Sequence, residues 1–125
     1  MRRLRVISKV KLSIYGIYIV DNFLDDKYHK EVLKKVKELT KKDVKGRSTN
    51  VQAVMTDYQA LLKHELFQSF FTDSITMLHY IYTLRSMHPN EDFEFNLYDG
   101  WAMKHSKGDH TMMHTHGPEY WSAAY

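Results

Sequence analysis

The stretch from Trp101 to Tyr125, WAMKHSKGDHTMMHTHGPEYWSAAY, decides how this chain is read. It carries four of the eight histidines, all between His105 and His116. On an extended strand side chains alternate faces, so His110, Met112, His114 and His116 would share one. His114 and His116 would then point at one interior spot, about 7 Å apart along the strand. Two imidazoles bordering a cavity suit a divalent first-row metal. Gly108 permits a turn before this strand and Gly117-Pro118 ends it. The same spacing also fits an inert exposed pair or a neutral hydrogen-bonded core pair, and spacing alone does not choose among the three.

Working outward, Phe93, Phe95 and Leu97 alternate with Glu94, Asn96 and Tyr98, a period of two that predicts a strand before Gly100 breaks the run. Trp121-Ser-Ala-Ala-Tyr125 reads as the opening of an apolar strand with no turn, cap or polar tail after it. The backbone groups of such a strand need partners, so the chain is expected to be a fragment lacking its second half. Lys63 to Ser86 is predicted to be helical, because Leu66, Phe67, Phe70, Phe71, Ile75, Leu78 and Tyr82 recur at helical spacing and Pro89 follows. Val51–Tyr58 favours strand. An earlier helix runs from a cap at Asp25-Asp26 to about Lys42, with Val32, Val36 and Leu39 on its apolar face. Lys11–Val20, rich in β-branched and aromatic residues, predicts another strand. Strand, helices, then strands implies one α+β domain over 1–125. Helical support lies at about 21–90, and the strands bearing the histidines at about 92–125.

Composition narrows the chemistry. The chain has 125 residues, 43% apolar and 14% aromatic, enough for one domain with a core. A formal charge of +3 gives little support to nucleic-acid binding, and none is expected. The absence of cysteine excludes disulfides and thiolate metal sites, leaving His, Asp and Glu as the strong ligands. Lys9 and Lys11 interrupt any apolar run after the basic start, and no stretch approaches the roughly 18 apolar residues of a membrane span. A cytoplasmic domain without membrane association is the expectation (host cytoplasm, if the source is viral).

The flanks of the histidine pair carry a resemblance. In 2-oxoglutarate-dependent oxygenases of the prolyl-hydroxylase type, a glycine precedes the first iron-binding histidine by six positions, and a carboxylate follows that histidine by two. Gly108 and His114 have that separation, and His116 stands where the carboxylate would be. Trp101, Lys107-Gly108-Asp109, His114-Thr-His116, Pro118 and Trp121-Ser122 through Tyr125 resemble the 2-oxoglutarate- and Fe(II)-dependent oxygenases common in marine phages and bacteria. Asn50-Val-Gln-Ala-Val-Met-Thr-Asp57 is similar to a segment before the long helix of those proteins. The similarity spans roughly Val20 to Tyr125, and its specific part is the last 25 residues.

The resemblance implies a double-stranded β-helix (jelly-roll or cupin-like) buttressed by helices. It implies Fe(II) held by His114 and His116, with 2-oxoglutarate and dioxygen as co-substrates for the hydroxylation of a further substrate. The family's distal histidine and its 2-oxoglutarate-binding basic residue fall beyond the matching stretch, so this chain alone is expected to be inactive. An incomplete β-helix would leave an open sheet edge through which the chain is expected to self-associate.

Cupins are the nearest competing family. Gly108, His114 and His116 fit their first motif, and Glu119 follows one or two positions early as a candidate carboxylate ligand. A non-catalytic interaction domain with a degenerate site is a third reading. His110 shares the His114 face and is a weaker candidate ligand. Tyr98 and Trp101 are candidates to line a 2-oxoglutarate pocket, with core packing the competing role of Trp101. Arg85 and Lys104 are possible carboxylate receivers that nothing in the sequence places near the metal. His29, His64, His79 and His88 are read as surface or packing residues.

Overall fold

A computed structural model describes residues 10–12, 17–41, 50–85, 94–114, 116 and 121–125. They form a mixed α+β arrangement of two helices and three short antiparallel ladders. The N-terminal β-rich stretch is two strands instead of one. β1 (Val10–Leu12) pairs with β2 (Tyr18–Val20), Val10 opposite Val20 and Leu12 opposite Tyr18. Doubling back gives each half a backbone partner close in sequence, which a single extended strand would lack. Asn22 then takes a left-handed conformation, φ 53°, which asparagine tolerates better than most residues.

α1 (Asp26–Leu39) starts where its cap predicts: the Asp25 carboxylate accepts the Tyr28 amide at 2.8 Å. It stops earlier than expected, at Thr40, whose hydroxyl donates to the Val36 carbonyl at 2.8 Å. Val32 is buried and Val36 and Leu39 pack beside it, as their spacing requires.

α2 (Gln68–Arg85) begins five residues later than Lys63, after two 3-10 turns, Leu61–Lys63 and Glu65–Phe67. His64 between the turns is extended, with φ −103° and ψ 124°, so no continuous helix passes through it. Ser86 and Pro89 lie outside the described residues. Tyr28 ties the two helices together. Its hydroxyl donates to the Leu66 carbonyl and accepts the Phe70 amide, one of the N–H groups that the start of a helix leaves without an internal partner. Around this junction Leu24, Tyr28, Val32, Leu61, Phe67, Phe71 and Ala102 form the main core.

The element that positions the histidines is a two-stranded ribbon. β3 (Val51–Gln52) pairs with β6 (His110–Thr111), and β4 (Val54–Met55) with β5 (Met103–Lys104). Further bonds lie in line with both ladders: Met112 N–H to the Asn50 carbonyl, Thr56 N–H to that of Ala102, and Gly100 N–H to that of Tyr58. Residues 50–58 and 100–112 therefore run as one antiparallel pair. Residues 105–109 loop out between the ladders, so that six positions separate Lys104 from His110 where two separate Gln52 from Val54. Gly108 turns this loop with φ 90°, and the Asp109 carboxylate accepts the Ser106 amide at 2.8 Å. One face of the ribbon buries Val51, Ala53 and Met55 against Trp101.

Two expected strands are absent from the described residues. Residues 94–99 carry no ladder, and Phe95 packs its ring on His79 and Tyr82 instead, at 5.0 and 5.9 Å. Residues 121–125 are held by rings as well: Trp121 lies on Tyr18 at 5.8 Å, and Tyr125 on Phe70 at 5.5 Å. No helix among the described residues is long and apolar enough to cross a membrane.

Candidate metal centre

Strand β6 ends at Thr111, so the alternation expected from His110 through His116 does not continue to the pair. The chain leaves the ribbon after the Met112 amide bonds to Asn50, and His114 and His116 meet beyond its end. Their rings lie 4.8 Å apart between centroids, and the two Nε2 atoms are 3.1 Å apart. Both residues are exposed, so the pair faces solvent instead of the interior spot its spacing suggested.

The orientation of His114 is set by its other nitrogen. Nδ1 lies 2.8 Å from the Met112 carbonyl, which can only accept, so Nδ1 carries the proton and Nε2 presents a lone pair. In the metal-free protein, His116 Nε2–H then donates to His114 Nε2. With the proton of His116 on its Nδ1 instead, both Nε2 lone pairs would be available to one cation. Two nitrogens 3.1 Å apart are close enough for both to ligate one cation at the usual distance of about 2.1 Å. The donor set therefore fits two of the ligands of a divalent first-row metal.

A third ligand does not join them: among the described residues no three His, Asp or Glu side chains converge. His110 sits opposite Gln52 in the ribbon and is exposed, and Glu119 lies outside the described residues. Lys104 is exposed on β5, and Tyr98, 73% exposed, has no hydrogen-bond or ring partner among the described residues. Trp101, by contrast, reaches the pair: its indole stacks on the His116 ring at 6.1 Å with an 18° tilt. The same ring also closes over Val51, Ala53 and Met55, the packing role weighed for it from the sequence.

One participant escapes a reading of the sequence. Tyr58 presents its ring edge-on to Trp101 at 5.3 Å and 86°, a contact made across the ribbon with no motif to mark it. His29, read as a surface or packing residue, bonds through Nδ1 to the Tyr125 hydroxyl at 2.6 Å. His64 and His79 have the packing roles expected of them, against Phe67 and Phe95, and His88 lies outside the described residues. In comparisons with known proteins, no family model matches this sequence, and no curated protein and no solved structure matches it either.

Proposed function

We propose that this chain carries the metal-binding part of a 2-oxoglutarate- and Fe(II)-dependent dioxygenase, its ribbon belonging to a double-stranded β-helix. The observation behind this reading is the convergence of His114 Nε2 and His116 Nε2 to 3.1 Å, with the His114 tautomer set by the Met112 carbonyl. Bound there with 2-oxoglutarate, iron would supply the oxidative decarboxylation that drives hydroxylation of a further substrate. His114 and His116 would hold the metal. The Met112 carbonyl holds the proton on His114 Nδ1, so that Nε2 would be the ligating atom, and the exposure of both rings leaves room for small co-substrates to approach.

A neutral imidazole in the carboxylate position gives the site one negative charge fewer, so the dianionic co-substrate should contribute strongly to holding the metal. The test is calorimetric titration of 2-oxoglutarate into the chain under anaerobic conditions, with and without Fe(II). Heat of 2-oxoglutarate binding that requires Fe(II), and is lost on His114→Ala, is expected. Binding that is indifferent to iron would sink the dioxygenase reading.

A further inference from the structure

His114 and His116 are oriented by different means. The His114 ring is pinned by a hydrogen bond from Nδ1 to a backbone carbonyl, the usual way a ligand histidine is held. Among the described residues, His116 has no such bond from Nδ1; its ring contacts are His114 and the face of Trp101. We propose that Trp101 is a positioning residue for the metal pair, its stacked indole taking the place of the missing hydrogen bond and directing His116 Nε2 toward His114. This role rests on the metal-binding reading above.

Trp101 is built as a fixed platform. The amide of the residue before it, Gly100, donates to the Tyr58 carbonyl at 2.8 Å. The residue after it, Ala102, donates its amide to the Thr56 hydroxyl, while the Thr56 amide donates to the Ala102 carbonyl, both at 3.0 Å. The backbone is thus held on either side. The indole, half-buried, packs on the buried face of Val51, Ala53 and Met55, and the Tyr58 edge abuts it at 5.3 Å. An aromatic plane held this firmly restricts the rotation of an imidazole laid nearly parallel to it, within the usual range of ring separations. A branched aliphatic side chain would fill the same space without selecting a ring plane.

The test uses the full chain with Trp101→Leu and Trp101→Phe, and Co(II) alone as the calorimetric probe. Imidazole proton shifts are recorded by NMR without metal, and thermal melts establish that each variant folds. In the wild type, the His116 ring protons should be shifted upfield by the indole ring current. Trp101→Leu should lose that shift and bind Co(II) about tenfold more weakly, the scale seen when a ligand's supporting partner is removed. Trp101→Phe, which keeps an aromatic plane, should recover most of the affinity. A folded Trp101→Leu with wild-type affinity overturns the positioning role alone. Failure of the wild-type chain to bind Co(II) overturns the metal reading and this role with it. Should Trp101→Leu fail to fold, the wild-type ring-current shift and the affinity of Trp101→Phe decide: an unshifted His116, or a phenylalanine variant as weak as His116→Ala, contradicts the role.

Discussion

Gly100 lies so close to the ring of Phe71 that a Cβ on it would stand 2.8 Å from Phe71 Cζ. The same Cβ would meet Phe71 Cε1 at 3.1 Å and Leu62 Cδ2 at 3.3 Å. Phe71 belongs to the main core and cannot swing away freely. Gly100 also begins the backbone clamp around Trp101, so this close approach joins the helical core to the metal platform. Gly100→Ala should cost about 1–3 kcal/mol, as overpacking does.

Gly108→Ala provides the contrast. A Cβ there meets nothing within 4 Å, and the penalty comes only from placing alanine at φ 90°. The expected loss is about 1 kcal/mol. Urea denaturation of the two variants should rank Gly100→Ala as the more damaging; the reverse order would mean that the ribbon does not press on Phe71.

The Tyr28 hydroxyl predicts a second result. Tyr28→Phe keeps the buried ring but leaves the Leu66 carbonyl and the Phe70 amide short of a partner. A loss of about 1–3 kcal/mol should follow. Asp25→Ala, which removes the cap on the Tyr28 amide, should cost about 1 kcal/mol. Hydrogen exchange at Phe70 should accelerate in Tyr28→Phe and stay near the wild-type rate in Asp25→Ala. Equal acceleration in both would argue against the bridge.

Alkaline pH tests how residues 121–125 are held. Partial desolvation raises the Tyr125 hydroxyl above the ordinary phenol value of about 10. The folded protein thus binds that proton more tightly than the unfolded chain. The contribution of this contact is intact below the ordinary value and is lost as pH rises through the folded value. Subtracting the phenolate absorbance titration of Tyr125→Phe from that of the wild type should isolate one phenol with a raised midpoint. A midpoint at or below the ordinary value would contradict the packing of Tyr125 against Phe70 and His29.

What the sequence made legible is local. The Asp25 cap and the Val32, Val36, Leu39 stripe describe α1 because both signals act within a few residues. The buried alternation of Val51, Ala53 and Met55 is a strand pattern for the same reason. The alternation of Phe93, Phe95 and Leu97 misleads, since Phe95 finds its burial on α2 and the described residues there form no ladder. At the candidate site, His114-Thr-His116 is conspicuous, but the face on which it lies is not. Counting by twos assumes an unbroken strand, and β6 ends at Thr111, before the pair is reached. The tautomer of His114 depends on the Met112 carbonyl, and the partnership of Tyr58 with Trp101 depends on pairing across the ribbon. Such contacts are decided by tertiary geometry and leave no periodic trace.

The central claim is that His114 and His116 together hold a divalent metal. It is tested most directly by anaerobic isothermal titration of Fe(II) into the wild-type chain and into a His114→Ala, His116→Ala variant, both verified as folded by circular dichroism. Micromolar binding by the wild type that disappears in the variant is the predicted result. A folded wild-type chain that takes up no Fe(II), or a double variant that binds it equally well, would contradict the account.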